Sequence, residues 1–170
     1  MTRAPLDPAT GRRPSDLVQQ LWLSVMEEVF LWNIGTLITD YRGGAAVSYG
    51  PWAAEDCRLV LLRWFDRGLL DCVATRRATT VGTGEVVHYE YEADWRDRAT
   101  VHGQHLILAR DDAGALLRDP GTWRTDGVGA GVMLCRSDDS DGWSFDDWFA
   151  ALAGLPDELL YGNPAAGEPA

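Results

Sequence analysis

The chain has 170 residues, 46% of them hydrophobic and 10% aromatic, enough for one domain with a full core or for two small lobes, and too much for wholesale disorder. No apolar run reaches the roughly 20 residues that span a bilayer, and the N-terminus lacks an apolar secretion segment, so a soluble, cytoplasmic protein with no membrane partner is expected. The formal net charge is -11 and all fifteen basic residues are arginine; with abundant Ala, Gly and Asp this fits a GC-rich genome, and the absence of lysine excludes Schiff-base chemistry and the phosphate loop that requires one.

Residues 1–14, with their Pro and Gly, read as a loose tail. Ser15 or Asp16 caps an expected helix whose apolar positions Leu17, Leu21, Val25, Val29 and Trp32 recur at three- and four-residue steps. Asn33 and Gly35 interrupt it before a shorter helix expected from Ile34 to Tyr41, which Gly43 and Gly44 end. Ala45 to Tyr49 reads as a short strand or a loop. Gly50-Pro51 introduces a third helix, with Pro near its first turn and Glu55 and Asp56 at its positive end. Cys57, Val60, Leu61, Trp64 and Phe65 supply its buried stripe, and Gly68 suits the left-handed residue that stops it. Leu69 to Thr75 is expected as a strand, residues 82–84 as a turn, and Val86 to Glu92 as the returning strand of a hairpin, with Val87, Tyr89 and Tyr91 on one face.

Beyond a charged connector at Ala93 to Arg98, Val101 to Ala109 reads as a strand, Asp111 to Arg118 as a helix and Asp119-Pro120-Gly121 as a turn. Gly127 to Gly131 leads into a strand at Val132 to Cys135, and an acidic loop follows at Ser137 to Gly142. Ser144 caps a helix from Phe145 to Leu152 with Asp146 and Asp147 in its first turn; a last helical turn is expected around Asp157 to Tyr161. The fold expected is therefore α+β: residues 15–92 as three helices plus a hairpin, residues 93–161 as a smaller acidic α+β region packed on them, and residues 162–170 as a second tail.

The order helix, helix, helix, strand, turn, strand over residues 16–92, roughly half the chain, resembles the winged-helix superfamily. The residues that carry the resemblance are Arg63-Trp64-Phe65-Asp66-Arg67-Gly68-Leu69-Leu70 and the hairpin after them. What it implies is duplex DNA contact through the third helix, with Arg58, Arg63 and Arg67, and through the wing, with Arg76 and Arg77. Arginine's planar fork suits guanine and phosphate. Glu55, Asp56, Asp66 and Asp71 interleave with those arginines, however, and winged helices also serve as protein-binding modules.

Charge separates the two halves of the chain. Residues 1–85 hold nine Arg against ten acids, and residues 86–170 hold six Arg against sixteen. Such a field repels a phosphate backbone and favours a partner with a basic face. Cys57, Cys72 and Cys135 are too few and too scattered for a disulfide framework and read as buried thiols. His102 and His105 invite a metal reading, but Gly103 and the apolar run after them favour strand entry, where their side chains point to opposite faces; a third ligand would have to come from His88 or Cys135. Asp138-Asp139-Ser140-Asp141-Gly142 lacks the bidentate Glu of a calcium loop, since that position is Trp148. Gly127 to Gly131 opens a strand and no helix, so it lacks the dipole of a phosphate cradle. No cofactor and no metal are expected. The eight tryptophans read first as core residues, since each buries a large area, and Trp95, Trp123 and Trp143, in charged or turn-like surroundings, are the candidates for exposed interface anchors.

The favoured reading is a non-enzymatic binding protein that meets a protein partner through an acidic surface, at Asp138, Asp139 and Asp141 with Trp95, Trp123 and Trp143, in an inhibitor or immunity-type role. The alternative is a winged-helix DNA-binding regulator. A small metal-dependent hydrolase, using His102, His105 and the loop acids, is the third.

Overall fold

A computed structural model of the chain describes residues 7, 10–42, 45–75, 77–81, 86–90, 95, 97–102 and 105–162; the side chains of residues 40, 42, 77–81, 86–90 and 102 lie outside the description. It is an α+β protein. Helix α1 spans Asp16–Met26, and strands β1 (Ile38–Arg42) and β2 (Ala45–Tyr49) follow. Helix α2 (Ala54–Asp66) leads to β3 (Leu70–Ala74), β4 (Arg77–Val81), β5 (Val86–Glu90), β6 (Thr100–His102) and β7 (His105–Ile107). Helix α3 (Arg110–Arg118), strand β8 (Val132–Arg136) and helices α4 (Phe145–Ala150) and α5 (Asp157–Tyr161) complete the order.

The central sheet is antiparallel with strand order β6-β7-β3-β8. Leu70, Cys72 and Ala74 of β3, with Val132 and Leu134 of β8, are buried on the face that packs against the helices. The core there is built on Trp64, which is fully buried, donates its indole N–H to the Trp148 carbonyl at 2.8 Å, and meets the Trp148 ring edge-on at 5.2 Å. Helix α3 approaches α2 closely at Gly114, where an added Cβ would lie 3.3 Å from the Phe65 ring.

Three expectations differ from this fold. Helix α1 stops at Met26, because Glu28 adopts φ 55 and the chain turns into an extended segment. That segment pairs with the sheet edge: Phe30 bridges Met133, and the Leu134 N–H donates to the Val29 carbonyl at 3.0 Å. The helix expected from Ile34 to Tyr41 is instead a short 3-10 turn at Leu31–Asn33 followed by β1, where Thr36, Ile38 and Thr39 favour extended backbone. Pro51 lies ahead of α2, whose N-cap is Ala53.

Strand pairing also differs from the expected hairpin. Leu70–Ala74 pairs with β7 on one side and β8 on the other, whereas Val86–Glu90 pairs with β4, from Val81↔Val86 to Arg77↔Glu90. One sheet thus joins strands from both regions of the chain. The expected strand over residues 101–109 is a hairpin, β6 and β7, in which His102 and His105 are cross-strand partners. At the other extreme of the chain, Asp7, Arg12 and Ser15 hold onto α5. The Arg12 guanidinium lies over the Tyr161 ring at 4.1 Å and donates to Asp157 at 2.8 Å, and the Tyr161 hydroxyl donates to Asp7 at 2.6 Å.

Candidate functional site: an acidic cleft at one end of the sheet

Strand β8 ends at Arg136, and the chain enters a tight turn through Asp138–Ser140. Two serines pin that turn to the junction of α2 and β3, where Gly68 takes φ 76. The Ser137 N–H donates to the Leu69 carbonyl at 3.0 Å and its hydroxyl to the Gly68 carbonyl at 2.5 Å. Ser140, fully buried, donates its hydroxyl to the Leu69 carbonyl at 2.9 Å, with the Ser137 carbonyl at 3.0 Å. With the serines turned inward, Asp138, Asp139 and Asp141 are left exposed on a fixed backbone. Ser144 then caps α4 in a reciprocal capping box with Asp147, whose carboxyl is held below the usual carboxylate range by the Ser144 hydrogen bonds.

Asp138 and Asp141 face the end of α1 across a cleft of about 340 Å3, lined by Val25, Met26 and Glu28 on one side and by Arg136, Ser137, Asp138 and Asp141 on the other. Strand register explains why Glu28 belongs to it. Phe30 opposes Met133, so two residues earlier Glu28 comes alongside Cys135, which in turn is the partner of Asp71. The half-buried Asp71 carboxyl is pushed above the usual range by burial, and the charges of Asp138 and Asp139 add to this against Arg110. Burial, with Asp71, Glu28 and Asp138 near it, pushes the Cys135 thiol up to about 12. The thiol is therefore protonated at neutral pH and faces the Asp71 carbonyl at 3.8 Å as a weak donor.

The cleft has one cation in its lining, Arg136, which reaches Asp141 at 3.5 Å in an exposed pair. Helix α1 also ends here with no basic residue in its last turn, so the negative end of its dipole adds to the field of Glu27 and Glu28. Such an arrangement favours a positively charged group that brings several hydrogen-bond donors, and a guanidinium does so in a planar fork. Trp143 stands beside the turn, its N–H donating to the Ser140 carbonyl at 3.1 Å and its side chain 43% exposed.

Two tryptophans read as candidate exposed anchors are core residues. Trp95 and Trp123 are each 6% exposed, and the Trp123 indole donates to the Leu116 carbonyl at 2.8 Å. Polar neighbours in the sequence misplace them, since the large apolar area of an indole is buried by tertiary packing that local polarity does not report. Of the arginines on and just after α2, Arg58 is held by Glu55 three residues earlier, Arg63 is half-buried and Arg67, the C-cap, is exposed. Arg76 lies outside the described residues, and Arg77 begins β4 with its side chain outside the description. His102 and His105 pair across β6 and β7, on the other side of β3 from β8 and its acidic turn. Among the described residues no three His, Cys, Asp or Glu side chains gather as a metal site, and none of the helices among them is long and apolar enough to cross a membrane.

Sequence reasoning missed Glu28, Asp71, Ser137 and Ser140 as members of the site. Their association is set by strand register and by the α2–β3 turn, neither of which is periodic in the chain. Compared with protein-family models, curated proteins and solved structures, the chain matches none of them.

Proposed function

We propose that the protein acts by binding, without catalysis, and receives the basic face of a protein partner at the acidic cleft. One observation carries this reading: Glu28, Asp138 and Asp141 converge on a single cleft, with Asp71 coupled to Asp138 and Asp139 behind it, while Arg136 alone opposes them in the lining. An inserted arginine or lysine side chain would meet acids already held in place by Ser137 and Ser140, so little ordering accompanies binding. The apolar atoms of Val25 and Met26 accept the stem of such a side chain, and Trp143, exposed two residues after Asp141, offers an aromatic anchor. Blocking a basic effector, as an inhibitor or immunity protein does, is the role this chemistry fits best.

Contact with duplex DNA through α2, the alternative that the winged-helix resemblance implies, has less support. Arg58 is engaged by Glu55, and Asp66 stands exposed beside Arg67. Fluorescence anisotropy with a labelled oligo-arginine peptide and with a labelled DNA duplex separates the two. Saturable peptide binding that weakens at least about tenfold in Asp138→Asn/Asp139→Asn/Asp141→Asn, and steeply with salt, supports the cleft. Duplex binding that is lost in Arg63→Ala, with no peptide binding, refutes it.

A further inference from the structure

The extended segment after α1 carries an acid of the cleft and an exposed aromatic pair in one row. Glu28 lines the acidic cleft, whereas Val29 lines a groove on a different face of α1 with Leu23 and Ser24. Phe30 returns to the side of Glu28, where it stands opposite Met133, and Leu31 turns inward to full burial. Trp32 then stacks on Phe30, with ring centroids 6.2 Å apart and planes 17° apart. This is the side-chain alternation of extended backbone, and it sets Glu28, Phe30 and Trp32 along a line of about 10–13 Å, at no more than about 3.3 Å per residue. The turn that carries Trp32 is held by other groups. Leu31 fills the space over Gly129, where an added Cβ would lie 3.4 Å from its Cδ1, and the Asn33 and Ile34 N–H groups donate to the Phe30 and Leu31 carbonyls at 2.9 and 3.0 Å. Trp32 stays 39% exposed, and Val128, which opens the turn packed beside Leu31–Asn33, is 52% exposed. An aromatic surface already fixed in place loses little side-chain freedom on contact, as a binding hot spot requires.

We infer that Phe30 and Trp32 form the apolar half of a binding surface whose acidic half is the cleft, and that the partner protein presents an apolar side chain about four residues beyond the basic one, along an extended segment. The inference rests on the cleft reading and adds to it the second contact and its spacing. Charge and continuity select the occupant. At the near end of the row Glu28 stands with Asp138 and Asp141, and Asp71 lies behind them; the far end is aromatic. A wholly basic segment would leave the rings uncovered, and a wholly apolar one would take carboxylates out of water with no cation to meet them. A net charge of -11 opposes a second copy of this chain in the same place.

The test uses the full chain and two labelled peptides, each with four arginines, a Gly-Ser-Gly spacer and two terminal residues, leucines in one and serines in the other. By anisotropy the leucine peptide is expected to bind at least about fivefold tighter than the serine peptide. Trp32→Ser, at an exposed position, should erase that difference and leave the serine peptide within about twofold, whereas Asp138→Asn/Asp141→Asn should weaken both peptides about tenfold. The Trp32 indole N–H resonance, identified by its loss in Trp32→Phe, should shift with the leucine peptide and stay in place with the serine peptide. Equal affinity of the two peptides for the wild-type chain, or a Trp32→Ser variant that weakens both alike, overturns the inference and leaves the cleft reading standing. Binding of neither peptide overturns the cleft reading and this inference with it. A concentration-dependent dimer that Trp32→Ser dissolves also overturns it, since a second copy would then be the occupant.

Discussion

Replacing Ser140 by alanine tests whether the acidic turn is a built element. The Ser140 hydroxyl has one proton and two acceptors in reach, the Leu69 carbonyl at 2.9 Å and the Ser137 carbonyl at 3.0 Å, and it is fully buried. After Ser140→Ala the Leu69 carbonyl still accepts the Ser137 N–H at 3.0 Å, so that acceptor keeps a partner. The change therefore removes the net value of one neutral buried hydrogen bond and the packing of one atom, about 1–1.5 kcal/mol. Ser137→Ala takes the hydroxyl donor from the Gly68 carbonyl and costs a similar amount. Because the two serines meet on adjacent acceptors, the double variant falls short of strict additivity, at about 1.5–2.5 kcal/mol. With a urea m-value of about 2 kcal/mol/M, the unfolding midpoint drops by about 0.6 M in Ser140→Ala and by about 0.8–1.2 M in the double variant, with m unchanged. No charge is altered, so the salt dependence of oligo-arginine binding stays as it is while its affinity falls. A Ser140→Ala midpoint within about 0.2 M of wild type would refute the pinning of the turn.

Asp71→Asn is expected to raise the melting temperature at neutral pH. Burial lifts the Asp71 carboxyl above its usual 3.8 in the folded chain, so the native state binds the proton more tightly than the unfolded one. The stability this contributes is complete below the unfolded pKa and lost as pH rises through the folded one; the advantage of the asparagine variant should shrink toward zero below about pH 3.8 in a pH series of thermal melts. Glu28→Gly is expected to gain about 1 kcal/mol in urea unfolding, because Glu28 has the left-handed φ of 55 that glycine adopts freely, while oligo-arginine affinity declines. A loss of stability there would contradict the backbone argument. Trp64→Phe should cost about 2–3 kcal/mol through a cavity and the missing donor to the Trp148 carbonyl, lowering the calorimetric melting temperature by roughly 5–10 °C.

What could be read from the chain followed local chemistry. The apolar stripe of α2, its stop at Gly68, the acid-led start of α3 and the Ser144 cap of α4 all depend on residues within one or two turns of each other, and each stands where the pattern puts it. Failure began where pairing decides structure. Leu70–Ala74 is a central strand with neighbours on both sides, and its partners lie more than thirty residues ahead in sequence, at β7 and β8. The nearer Val86–Glu90 has the right alternation but pairs with β4. Residues 28–33 continue the helical spacing of α1, yet Val29 and Phe30 gain more as an edge on β8 than as another helical turn. The acids of the 138–141 turn were legible as exposed charge. Their companions Glu28 and Asp71 were not, because only the register of three adjacent segments brings them beside Cys135.

The placement of acids at the end of α1 runs against the protein's own electrostatics. A helix is stabilised by cations in its last turn, and here Glu27 and Glu28 follow Met26 with no base in that turn. Glu28 adds the strain of a left-handed backbone, and across the cleft Asp138 and Asp141 face it with Arg136 as the cation between them. Each feature opposes stability locally, and a glycine at 28 or a base at 27 would relieve part of it. The arrangement becomes favourable when a cation arrives from outside, since a partner's guanidinium gains from the dipole, the glutamates and the aspartates together. On that view Glu27→Arg raises the thermal stability of the free chain and lowers its affinity for oligo-arginine through the field at the end of α1. A variant that becomes more stable and keeps full affinity would show that these acids serve the fold in a way the helix dipole does not explain.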